Sequence, residues 1–140
     1  MTASPAGRRE QAAAEALVAA RACYGWLLAC APRQMIRVGT PWPPGRRAVL
    51  MTRVLGGRHL VQALLTATGE AAGLPPATVL ALGAAVDVLH AASMAGLAAM
   101  YRPLRHVALA DTAIESGFAA FGAATAWRSG RQPDPWAAAT

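Results

Sequence analysis

A set of ionisable side chains lies inside otherwise apolar runs of this chain: Arg21, Arg53, Arg58, His59, Asp87, His90, Asp111 and Glu115. Their spacing places partners on common helix faces. Asp87 and His90 are three residues apart and Asp111 and Glu115 four apart, so each pair shares a face if its segment is helical. Three kinds of chemistry follow from these types. Acids and bases facing one another across helices make a buried ion-pair ladder, which either specifies packing or carries a proton or small solute. Two histidines at equal heights, His59 and His90, are the axial ligands a haem iron takes inside a helix bundle. Asp87 and His90 with His59 and Glu115 supply metal-ligating atoms, although a di-iron set needs two Glu-x-x-His motifs and this chain has a single Asp-x-x-His.

No other reactive pattern is present. The stretch "GGRH" lacks the Lys-Ser/Thr of a phosphate-cradling loop, and no nucleophile elbow or catalytic triad is visible. Ser93 and Ser116 read as packing residues that bond back to helix carbonyls. The expectation is a protein that is not an enzyme and needs no cofactor. Cys23 and Cys30 are seven apart, about 10 Å along a helix, too far for a disulfide within it. They read as buried small apolar residues.

These side chains need elements to hold them, and composition defines what the elements are. The 140 residues are 55% hydrophobic and 14% charged, against roughly 25% charged in an ordinary soluble domain. The net charge of +6 comes entirely from arginine, with no lysine. The arginines outside the apolar runs sit in the connectors and tails and show no nucleic-acid-binding spacing, which argues against a nucleic-acid partner.

Four apolar segments stand out, at about 12–31, 48–68, 77–101 and 107–127, between a polar tail at 1–11 and another at 128–140. Pro32, the cluster Pro41, Pro43, Pro44 and Gly45, the pair Pro75 and Pro76, and Pro103 separate them. Each segment is ~30–37 Å long as a helix, which matches a hydrocarbon core of ~30 Å. The runs are alanine-rich and lack period-two alternation, so strands are not expected. The reading is all-α: a four-helix transmembrane bundle in the cell membrane. A soluble alanine-rich bundle is the competing architecture. Leu27–Cys30 resembles a lipobox, but Glu15 and Arg21 lie in the apolar region before it, where a signal sequence is uncharged.

Arginine placement orients the bundle. Arg33, Arg37, Arg46 and Arg47 lie in the first connector and Arg102 and Arg105 in the third, so these two face the cytoplasm and both termini face outside. Tyr101 and Trp127 then fall near the interfaces, and the first connector, around Trp42, lies flat on the membrane with Met35, Ile36 and Val38 dipping into lipid.

Depth now orders the charges. Arg21, Arg58 and Asp87 each lie about ten residues from a helix end, ~15 Å deep at the bilayer middle. Arg53 and Asp111 share a level nearer the cytoplasm. A lone charge at the centre costs ~2.5–3.5 kcal/mol, so opposite charges at equal depth are expected to meet. The expected pairs are Arg58 with Asp87, with Arg21 joining them, and Arg53 with Asp111 or Glu115. Gly56 and Gly57 beside the ladder would let helices approach closely.

The segments "TRVLGGRHLVQALLT" and "GAAVDVLHAASMAGLAA" resemble a group of small four-helix membrane proteins common in actinobacteria. The carriers of the resemblance are Arg53, Gly56 and Arg58, as Arg-x-x-Gly-x-Arg in the second helix, and Asp87 in the third. It covers about residues 12–127 and implies fold and location, with no reaction attached. The expected role is an accessory or interaction subunit of the cytoplasmic membrane, partnered by lipid and by a second copy or another membrane protein. A small oligomeric proton-coupled carrier or channel using Arg58, Asp87 and Glu115 is the alternative, and a haem-binding electron-transfer protein a further one.

Overall fold

The computed structural model describes residues 5–39 and 43–131. Among them the secondary structure is helical throughout, in the order α1 (Pro5–Cys30), α2 (Pro32–Gly39), α3 (Arg46–Thr68), α4 (Pro76–Met100) and α5 (Arg105–Ser129). A 3₁₀ turn at Arg102–Leu104 joins the last two helices. Four of the helices are long, as the apolar segments require. The expectations for Trp42, for residues 1–4 and for residues 132–140 fall outside the described residues.

The boundaries differ from the sequence reading at three places. The N-terminal tail expected at 1–11 is helical from Pro5 onward, because alanine and straight-chain residues propagate a helix despite their polarity. Pro32 does not end the helical course: it occupies the first turn of a new helix, where its missing N–H is no loss. At the far end α5 runs on to Ser129 rather than stopping at Trp127.

Breakers act where backbone chemistry demands. Gly73 takes φ +77 in the turn after α3, a left-handed conformation that glycine adopts without penalty. There the Leu74 amide donates to the Gly69 carbonyl at 2.8 Å, and Pro76 opens α4. Pro103 sits inside the 3₁₀ turn and folds α5 tightly back on α4.

The packing is two pairs. Helix α1 lies along α3, and α4 lies along α5, whereas α1 with α5 and α3 with α4 touch far less. Glycine sets the first contact. A Cβ on Gly56 would stand 2.6 Å from the Gly25 carbonyl oxygen, and one on Gly25 would stand 2.8 Å from the Gly56 carbonyl oxygen. Only hydrogen fits on both sides, so α1 and α3 cross backbone to backbone. Gly57, expected to share this role, faces open space. One end of the interior is closed by Leu17, Leu80 and Ala126 with Phe118 packed on them. Much of the remaining buried apolar surface is alanine, including Ala63, Ala84, Ala91, Ala108 and Ala119.

The short α2 packs on α1, α3 and α5. Its Met35 and Ile36 are half-buried, Arg33 and Arg37 are exposed, and Val38 is fully outward. Cys23 and Cys30 are free and exposed, which corrects the expectation that they are buried: both lie on the face of α1 turned away from the bundle.

Candidate functional site

Across the middle of the bundle runs a layer of polar side chains drawn from all four long helices. Arg21, His59, Asp87 and Glu115 are fully buried. The two guanidiniums come from the α1/α3 pair. The carboxylates Asp87, Asp111 and Glu115 come from the α4/α5 pair. Opposite charge therefore joins the two helical pairs where apolar contact between them is sparse.

Asp87 is the centre of one half. It accepts a short hydrogen bond from Arg21 Nη2, one from Gln62 Nε2 at 3.1 Å, and faces Arg58 Nη2 at 3.6 Å. Gln62 Nε2 also reaches the Gly83 carbonyl at 3.2 Å. Room for the Arg21 guanidinium is made by a missing side chain. A Cβ on Gly83 would approach Arg21 Nη1 to 2.8 Å. The cation also stands 5.7 Å from the Phe118 ring centroid, within cation–π range.

Glu115 is the centre of the other half. Its Oε1 accepts from Arg58 Nη2 at 2.5 Å and from His59 Nε2 at 2.9 Å. A carboxylate only accepts, so His59 carries its proton on Nε2, and the 3.2 Å approach of Arg58 Nη2 to that nitrogen is a contact rather than a second hydrogen bond. The His59 ring is flanked by Tyr24 at 5.0 Å and Phe118 at 5.3 Å between centroids. Nearby, His90 Nε2 donates to Asp111 Oδ2 at 2.8 Å, both side chains being partly buried.

The sequence-predicted residues thus divide. Arg21, Arg58 and Asp87 meet at one level along the bundle, as their similar distances from the helix ends lead one to expect. Arg21 rather than Arg58 is the closer partner of Asp87. Arg53 does not join: it is exposed and makes no ion pair among the described residues. Asp111 pairs instead with His90, and Glu115 with Arg58 and His59. The reason is helical phase. Arg53 and Arg58 are five apart, about 140° around an α-helix at 100° per residue, so only one of them can point inward with His59 and Gln62.

The same phase argument bears on His90. It and Asp87 share a helix face broadly, yet Asp87 turns to Arg21 while His90 turns to α5, so the Asp-x-x-His pair does not converge. Instead of turning to a shared haem iron, the two imidazoles turn to different carboxylates, His59 to Glu115 and His90 to Asp111.

Gln62 was missed by the sequence reading, as were Tyr24 and Phe118. Gln62 carried a usable signal, since it follows Arg58 at i,i+4 on the inward face. Some polar atoms in this layer have no partner among the described residues: Arg21 Nε and Nη1, Arg58 Nε, His59 Nδ1, Gln62 Oε1 and Glu115 Oε2. One metal-type convergence exists among the described residues. His90, Asp111 and Glu115 each present a ligand atom, all within 4.8 Å of one another.

Comparison of the chain with protein-family models, with curated proteins and with solved structures found no match.

Proposed function

We propose that this chain is a small multi-pass membrane protein, its four long helices spanning the bilayer, and that it serves as a non-enzymatic accessory subunit that binds a second copy or another membrane protein. The observation that carries this reading is inverted polarity. The fully buried side chains include Arg21, His59, Asp87 and Glu115, whereas Trp26, Leu82, Leu89 and Met100 are 63%, 64%, 69% and 86% exposed. Water favours the opposite arrangement, and lipid favours this one.

Two helices, Gly7–Cys30 and Pro76–Met100, are long and apolar enough to cross a membrane by composition alone. In α3 and α5 the ionisable residues Arg58, His59, Asp111 and Glu115 turn inward, and the outward faces present residues such as Met51, Val54, Leu64 and Phe121. Counting charges over a whole helix overlooks that orientation. Arg46, Arg47 and Arg53 face outward in α3, the first two at its very start, so Arg53 is the one that needs explaining. It lies seven residues from the helix start, ~10 Å along the axis, a depth from which a long arginine stem reaches the interface. Arg131 over the Trp127 ring at 4.2 Å and the exposed Tyr101 suit the headgroup level.

The association role is supported by an open groove between α4 and α5 lined by small residues, among them Ala92, Ala95, Ser116 and Ala120. Small residues are what helices use to meet inside a bilayer. The likeness to small actinobacterial membrane proteins belongs to the same reading.

Alkaline carbonate extraction of membranes from cells expressing the full chain tests the location. The chain is expected to sediment with the membranes and to dissolve only in detergent. Release into the carbonate supernatant would refute it. Crosslinking in intact membranes, with mass spectrometry of the adducts, tests the role: a discrete dimer or a recurrent membrane partner is expected, and a monomer alone would overturn it.

A further inference from the structure

We infer that His90, Asp111 and Glu115 form a binding site for a divalent first-row transition ion inside the bundle. Three observations converge. First, the donor atoms of one imidazole and two carboxylates lie within 4.8 Å of one another, and His90 Nε2 is already 2.8 Å from Asp111 Oδ2. Ligands ~2.0–2.2 Å from a tetrahedral ion stand about 3.4 Å apart, so small side-chain rotations close the set. Second, Glu115 is fully buried and spends only Oε1 on Arg58 and His59, while Oε2 has no partner among the described residues. A buried carboxylate oxygen without a donor is costly, and a cation is one of the few groups that satisfies it. Third, Arg21 and Arg58 reach Asp87 and Glu115 but not Asp111, whose ion-pair partner among the described residues is the His90 imidazole.

The surroundings are those of a supported site. His59 and Arg58 both donate to Glu115 Oε1, as second partners of a ligating carboxylate do. Tyr24, from α1, lies beside Asp111. Binding through His90 Nε2 moves the imidazole proton from Nε2 to Nδ1, with no net proton change, and breaks the His90–Asp111 hydrogen bond in favour of two metal–ligand bonds. A donor set of one nitrogen and two carboxylates, with no thiolate, selects Mn²⁺, Fe²⁺ or Zn²⁺ over Cu⁺. Three protein ligands leave a coordination position open.

Co²⁺ titration of the detergent-purified full chain, carrying Cys23→Ser and Cys30→Ser to remove the exposed thiols, is the test. Visible d–d bands saturating at about one equivalent per chain are expected, with His90→Ala weakening binding about tenfold or more. Bands absent at millimolar Co²⁺, or unchanged in His90→Ala, would overturn the site. If His90→Ala does not fold, His90→Cys decides: a new near-ultraviolet thiolate-to-cobalt band places the ion at residue 90, and its absence removes it.

Discussion

Neutralising Asp87 isolates the energetics on which the bundle depends. In Asp87→Asn the shape and the hydrogen bond from Gln62 persist, since the asparagine oxygen still accepts. Arg58 keeps its second carboxylate, Glu115, at 2.5 Å. Arg21 keeps nothing of the kind: it is fully buried, Asp87 is its one carboxylate among the described residues, and its Nε and Nη1 have no partner. The loss is therefore that of an orphaned buried cation, about 3–5 kcal/mol, rather than the ~1 kcal/mol of a neutral hydrogen bond. At 1.4 kcal/mol per decade, about 4 kcal/mol is roughly a thousandfold in the unfolding constant. Removing the cation as well, in Arg21→Met/Asp87→Asn, is expected to recover about 2 kcal/mol relative to the sum of the single changes. Unfolding in mixed micelles by SDS titration, followed by far-ultraviolet circular dichroism, reads both quantities. A single variant within about 1 kcal/mol of the parent, or a double variant equal to the sum, would refute the claim that the pair is coupled inside the bundle.

Three further outcomes are expected. Gly56→Ala, whose Cβ would stand 2.6 Å from the Gly25 oxygen and 2.7 Å from the Ala29 nitrogen, should lower stability by about 1–3 kcal/mol. Gly57→Ala faces open space and should be neutral or gain up to about 1 kcal/mol of helix propensity; equal SDS midpoints for the two would contradict the close crossing. Arg53→Gln, at an exposed position, should shift the midpoint by less than about 0.5 kcal/mol, and a large loss would mean that Arg53 has a buried partner after all. If α1 spans the bilayer as proposed, Cys23, exposed on α1, should escape a membrane-impermeant maleimide in sealed vesicles and react once SDS is added, whereas rapid labelling before detergent would contradict that proposal.

Helix existence was legible in the sequence, because four apolar runs of helical length are separated by proline and glycine, and those residues act through local backbone chemistry. The height of each charge along its helix was legible as well, since rise per residue converts position into height, and Arg21, Arg58 and Asp87 do meet at one level. Azimuth was not. Whether a residue at a given height faces a neighbour or the outside depends on how each helix is rotated, and that rotation is settled by contacts between residues far apart in the chain. Arg53 turned out, Asp111 turned to His90, and Glu115 gathered Arg58 and His59 for this reason. Only the tertiary structure revealed that Gly83 clears space for a guanidinium donated by α1, that the guanidiniums and carboxylates of the layer belong to separate helical pairs, and that His90 converges with Asp111 and Glu115 instead of with Asp87.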